Sequence, residues 1–88
     1  MSGEFYEITG RVTNIDFFDD KFYITVEKML YDVHSEPGRL LKINIGGEFW
    51  TTNLRDIYNA YSAFITKEER TFVIPHDQME HRWCLPEE

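Results

Sequence analysis

Residues 14–27 read NIDFFDDKFYITVE. Apolar side chains alternate with polar ones on both sides of the Asp19-Asp20-Lys21 triplet, with Ile15 and Phe17 before it and Phe22, Ile24 and Val26 after it. A period of two puts such residues on one face of a strand, and two such runs joined by a short Asp-rich segment predict a β-hairpin. Parity then sorts the four rings of the stretch. Phe17 and Phe22 point inward as core residues, while Phe18 and Tyr23 point outward among carboxylates.

Upstream, the alternation changes phase. Tyr6, Ile8 and Val12 share one parity and Ile15 and Phe17 the other, which calls for a β-bulge or sharp bend near Thr13–Asn14. Gly10, in mid-strand, marks a second place where the strand coils or another backbone approaches. Downstream, the second strand runs on through KMLYDV with a phase slip around Lys28, and HSEPGR supplies a connecting turn. LLKINI is the third strand, with Leu41, Ile43 and Ile45 alternating against Lys42 and Asn44. Gly46-Gly47 either bulges a continuous strand or closes a type I′ hairpin into EFWTT, and the pair favours the hairpin or a strong kink.

The period then becomes helical. Leu54, Ile57, Tyr58, Tyr61, Phe64 and Ile65 follow the i, i+3, i+4, i+7 rule and predict an amphipathic helix of about three turns, buried on that face. Asn53 or Thr52 caps its start, Asp56 suits the dipole of the first turn, and TKEE at 66–69 suggests a further helical turn. RTFVI returns to strand character until Pro75, HDQM turns, and EHRWCL is a last strand.

The fold expected for this single domain, residues 1–88, is α+β. It is a small, mostly antiparallel β-barrel or curled sheet of five to six strands, in the order β-β-β-α-β-β, with one amphipathic helix. Strands this numerous in a short chain need closure or near-closure to protect their edges. In topology the chain resembles the OB-fold. EITGRVTNID looks like that family's long first strand with its mid-strand glycine and bend, and NLRDIYNAYSAFI sits where its helix plugs the barrel end. The resemblance implies a module that binds single-stranded nucleic acid.

Composition bounds the function. The chain has 88 residues, 42% apolar, with seven Phe, five Tyr and two Trp, which is enough ring area to build one small core. Its net charge of −7 argues against a partner held by phosphate neutralisation. It suits a solubilising surface, a cationic ligand or a basic protein partner. Cys84 is the only cysteine, so no internal disulfide forms, and MSGEFYEITG lacks the basic and apolar regions of a secretory signal. A cytoplasmic protein is expected. Apolar runs are too short for a membrane span.

No catalytic or cofactor motif emerges. His76, His81 and Cys84, with Asp77 and Glu80 between them, match no zinc spacing. Gly46-Gly47 lacks the Lys and helix context of a phosphate loop, and Ser35 beside His34 is a turn rather than a triad. The chain is expected to be non-enzymatic and free of cofactors.

Acids dominate residues 1–36, eight against three basic residues. Glu7, Asp16, Asp19, Asp20, Glu27, Asp32 and Glu36, with the rings of Phe18 and Tyr23, form the expected partner-binding surface. In size, charge and lack of catalytic motifs the chain also resembles the small acidic proteins that bacteriophages use as DNA mimics or host inhibitors. That resemblance implies a basic partner such as a nucleoid or transcription protein. A homodimer assembled through an exposed strand edge is a third expectation.

Overall fold

The computed structural model describes the backbone of residues 4–36 and 39–87 and the side chains of residues 4–30 and 44–83. Five strands, β1 (Phe5–Phe18), β2 (Lys21–Glu36), β3 (Arg39–Thr51), β4 (Glu69–Pro75) and β5 (Met79–Glu87), form one antiparallel sheet in the order β4-β1-β2-β3-β5. Helix α1 (Leu54–Thr66) lies between β3 and β4. The fold is α+β, as the periodicities predict. The turn expected at HSEPGR centres on Pro37 and Gly38, which lie outside the described residues.

The sheet curls without closing. β4 and β5 are its two edges, and four strand spacings would hold the edges of a flat sheet about 19 Å apart. They are joined by a single 3-10 turn, His76–Gln78, which spans only about 8 Å at 2 Å per residue. The edges therefore meet at that end. There the His76 amide donates to the Glu4 carbonyl at 3.1 Å, and Arg82 of β5 lies 4.3 Å from the ring centroid of Tyr6 on β1.

β1 makes the curl possible by changing partners. Phe5–Arg11 pair with β4, whereas Arg11–Phe18 pair with β2. The register slips between Val12 and Asn14, where the parity change places a bulge. A Cβ on Gly10 would lie 2.5 Å from the Glu27 carbonyl oxygen, so β2 passes too close for any other residue there. No slip occurs at Lys28, because Phe22 through Asp32 pair with Thr51 through Leu41 without interruption.

The hairpin turn consists of Asp19 and Asp20 alone, with φ of 56° and 63°, between the paired Phe18 and Lys21. Two positive values define a type I′ turn, whose handedness matches the twist of the strands. Aspartate tolerates this region, but glycine does so at no steric cost. Asp20→Gly is expected to stabilise the domain by about 0.5–1 kcal/mol and raise its Tm by about 4 °C, measured by thermal unfolding at constant protein concentration.

Gly46 and Gly47 do not turn the chain, contrary to the sequence expectation of a hairpin or strong kink. They lie inside β3, paired with Glu27 and Val26 on one side and with Trp83 and Arg82 on the other. A Cβ on Gly47 would fall 2.7 Å from the His81 carbonyl and 2.9 Å from Cδ1 of Ile8 on β1. Glycine is needed because three strands crowd this point.

The core consists of Val12, Ile24, Val26, Phe49, Phe72 and Ile74 from the sheet and Ala60 and Ala63 from the helix, with Ile8, Ile15 and Met79 packed against it. Asn53 caps α1, its Oδ1 accepting from the amides of Arg55 (2.8 Å) and Asp56 (3.2 Å). The helix stops at Lys67, in the left-handed region at φ 62°, and β4 begins two residues later. The extra turn expected from TKEE is therefore absent.

The rotation of α1 also corrects the expectation. Successive residues advance about 100°, which sets Ala60 and Ala63 opposite Leu54, Tyr58 and Ile65. It is the alanines that face the sheet. Leu54, Tyr58 and Ile65 are 80%, 76% and 74% exposed. Small side chains let the helix approach β1 and β4 closely, and polar ties fix its rotation. Arg70 of β4 donates to Asn59 Oδ1 at 2.7 Å and to Ser62 Oγ at 3.3 Å, while the Thr51 hydroxyl meets Asp56 Oδ2 at 3.5 Å.

Candidate partner-binding surface

Parity sends Phe18 and Lys21, Asp16 and Tyr23, and Asn14 and Thr25 to the outer side of the β1–β2 hairpin as cross-strand pairs. β3 extends this face, with Trp50 opposite Tyr23 and Glu48 opposite Thr25. Asp16, Phe18, Tyr23 and Glu48, with Phe17 at the crest, line an open groove. Phe18 is 70% exposed, and the Lys21 ammonium sits 4.5 Å from the Trp50 ring centroid. Asp16 accepts from Asn14 Nδ2 at 2.8 Å. Among the described residues no basic side chain pairs with Asp16, Asp19, Asp20 or Glu48 within 4 Å.

The expected acidic surface is thus divided. Asp16, Phe18, Asp19, Asp20 and Tyr23 come together at the hairpin. Glu27 does not join them. It accepts from Thr13 Oγ1 at 3.1 Å and Asn44 Nδ2 at 3.2 Å, linking β1 and β3 across β2 in a separate cleft with Arg11, Lys28 and Glu69. Glu7 lies on the half of β1 that pairs with β4, beside a third cleft lined by Thr9, Arg82 and Trp83. Asp32 and Glu36 belong to the far half of β2, and their side chains lie outside the described residues.

Two features escaped the sequence reading. Glu48 joins the groove only through the β2–β3 register, which Gly46-Gly47 obscured. Phe17 has the inward parity assigned to it but is 61% exposed, because the hairpin outruns the core. Its ring rests on Phe22 with centroids 4.8 Å apart, and Phe22 meets Tyr61 of α1 edge-on at 6.4 Å.

Of the side chains considered for metal, His76 Nδ1 lies 3.2 Å from Glu4 Oε1 and its ring lies 4.0 Å from that of Tyr6, while the Cys84 side chain is outside the described residues. Among the described residues no three His, Cys, Asp or Glu side chains gather into a metal-binding group, and no helix is long and apolar enough to cross a membrane. No family model matches the chain, and no curated protein or solved structure matches it either.

Proposed function

We propose that this chain is a non-enzymatic, acidic protein-binding domain whose contact surface is the outer face of the β1–β2 hairpin. The observation that carries this reading is the groove in which Asp16 and Glu48 flank Phe18 and Tyr23. Carboxylates at a rim steer a basic partner into place, and rings between them supply the desolvated contact that holds it. A basic nucleic-acid-binding protein, engaged as a DNA mimic engages it, is the sharper form of this partner. Glu27 is already committed to Thr13 and Asn44, so the rings take a larger share of the contact than phosphate mimicry alone would give them.

A second reading rests on the same face. Phe18, Tyr23 and Trp50 offer three rings on one sheet surface, an arrangement suited to stacking the bases of a single strand in the manner of an OB-type module. Lys21 separates the two readings by the sign of its effect. Toward a basic protein its ammonium repels, whereas toward nucleic acid it attracts a phosphate.

The test is fluorescence anisotropy with an arginine-rich peptide carrying one leucine anchor, and with an oligothymidylate, each titrated with the protein. Peptide binding is expected to weaken about tenfold in the variant Asp16→Asn, Asp19→Asn, Asp20→Asn, at ~0.5 kcal/mol per rim charge. Asparagine tolerates the left-handed region, so the turn is kept. Lys21→Gln is expected to tighten the peptide about two- to threefold, and high salt to weaken it. Oligothymidylate binding that outcompetes the peptide and falls in Lys21→Gln would replace this reading with the nucleic-acid one.

A further inference from the structure

A second surface, which meets the groove only at Phe17, carries a further inference. Leu54, Tyr58, Tyr61 and Ile65 stand on one exposed stripe of α1, with Phe17 continuing it onto the hairpin through Phe22. Their spacing of four, three and four residues is that of a coiled-coil seam, and all the stripe lacks is a facing helix. We infer that this face binds a second copy of the chain, the two helices packing antiparallel across a two-fold axis.

Three observations select a second copy as the occupant. The stripe is symmetric about its own midpoint, between Asn59 and Ala60. In an antiparallel pair Leu54 of one copy meets Ile65 of the other, and Tyr58 meets Tyr61, twice over. This is the self-complementarity a two-fold interface requires. The second observation is area. With Leu54, Tyr58 and Ile65 about three-quarters exposed, Tyr61 at 43% and Phe17 well exposed, the five leave on the order of 600 Å² in water at ~200 Å² per large side chain. That is the upper end for a monomer's largest apolar patch and approaches the ~800 Å² per partner of a stable interface. Phe64, 42% exposed, lies beside the seam and adds to it.

The third observation is charge. The chain carries −7, so copies repel each other over most of their surface. From Leu54 to the Lys67 cap, however, α1 holds Arg55 and Lys67 against the half-buried Asp56, a balance of +1. Two copies meeting here avoid the acid-on-acid repulsion of the hairpin face. Association through this seam is apolar, so added salt strengthens it by screening the remaining acids. The response to salt is opposite in sign to that of the basic-partner groove, and the two proposals therefore fail separately.

Sedimentation equilibrium of the full chain, from low micromolar to several hundred micromolar, is expected to show a mass rising toward twice 10.6 kDa. Tyr58→Lys with Ile65→Lys changes only exposed positions, so the chain stays folded by circular dichroism while self-association weakens at least about thirtyfold. A cross-linking arm uses Leu54→Cys and Ile65→Cys, each in a Cys84→Ser background. Facing positions in a seam come within disulfide range, so the mixture of the two proteins is expected to oxidise to a linked dimer faster than either alone. A mass of 10.6 kDa at every concentration overturns the inference. So does a dimer that the double lysine variant leaves intact, as assembly through a strand edge would, and so does equal cross-linking in the unmixed variants.

Discussion

Phe49→Ala is expected to cost the domain about 3–5 kcal/mol, the usual range for truncating a buried aromatic residue. Phe49 is fully buried near the C-terminal end of β3, paired with Ile24 of β2 and Met79 of β5, and its ring lies 5.5 Å from that of Phe72 on β4. It thus joins strands from both edges of the sheet in one contact and supports the curl. The cavity cannot collapse easily, because its walls belong to paired strands and to a helix held by Arg70. A domain of this size has a total stability of only about 4–13 kcal/mol, so the variant is expected to melt about 15–30 °C lower. Urea unfolding monitored by circular dichroism measures the loss. A change below about 1 kcal/mol would show that the sheet does not close over this ring.

The second large effect is expected at Gly46. Alanine there would drive its Cβ into the Val26 carbonyl oxygen and to 2.9 Å from Cζ2 of Trp83, with the Glu27 Cα at 3.1 Å. Two of these three atoms are backbone of β2, which is paired with β3 along its length and cannot retreat without breaking that ladder. Gly46→Ala is expected to lose on the order of 3 kcal/mol or more, at the upper end for overpacking, and to lower the Tm by about 12–24 °C. The same substitution distinguishes the strand from the turn the sequence suggests. In a hairpin loop the cost would be left-handed strain of about 1 kcal/mol, and neither β3–β5 pairing nor the environment of Trp83 would change. In the crossing strand, Trp83 fluorescence shifts together with the loss of stability.

Much of this architecture can be read locally. Alternation on either side of Asp19-Asp20 places the hairpin, and the change of parity at Thr13–Asn14 places the bulge that lets β1 serve two partners. Asn53 announces the start of α1. Each of these signals lies within a few residues of what it specifies, because side-chain parity, turn dihedrals and caps are local properties. The chemistry of the hairpin surface is legible for the same reason. Asp16, Phe18 and Tyr23 share a face as soon as the hairpin is recognised.

The remaining features depend on contacts distant in sequence. A helical period shows where apolar residues lie on α1 but not which side the sheet will accept. Ala60, Ala63 and the reach of Arg70 from β4 decide that, and they turn the largest side chains outward. A glycine pair reads alike as a turn and as a crossing point, and the choice at Gly46-Gly47 belongs to Ile8, Val26 and His81. Nearness in the chain also misleads for the acids of residues 1–36, since β1 changes partners and Glu7 lies on its other half, paired with β4. By itself the sequence determined the hairpin, the bulge, the start of the helix and the β-β-β-α-β-β order, with Asp16, Phe18 and Tyr23 on the hairpin surface, all through short-range sterics and periodicity. Only the tertiary structure decided the rotation of the helix and the division of the acids. Both depend on which surfaces pack against each other, and that is settled by close approach between segments the sequence keeps far apart.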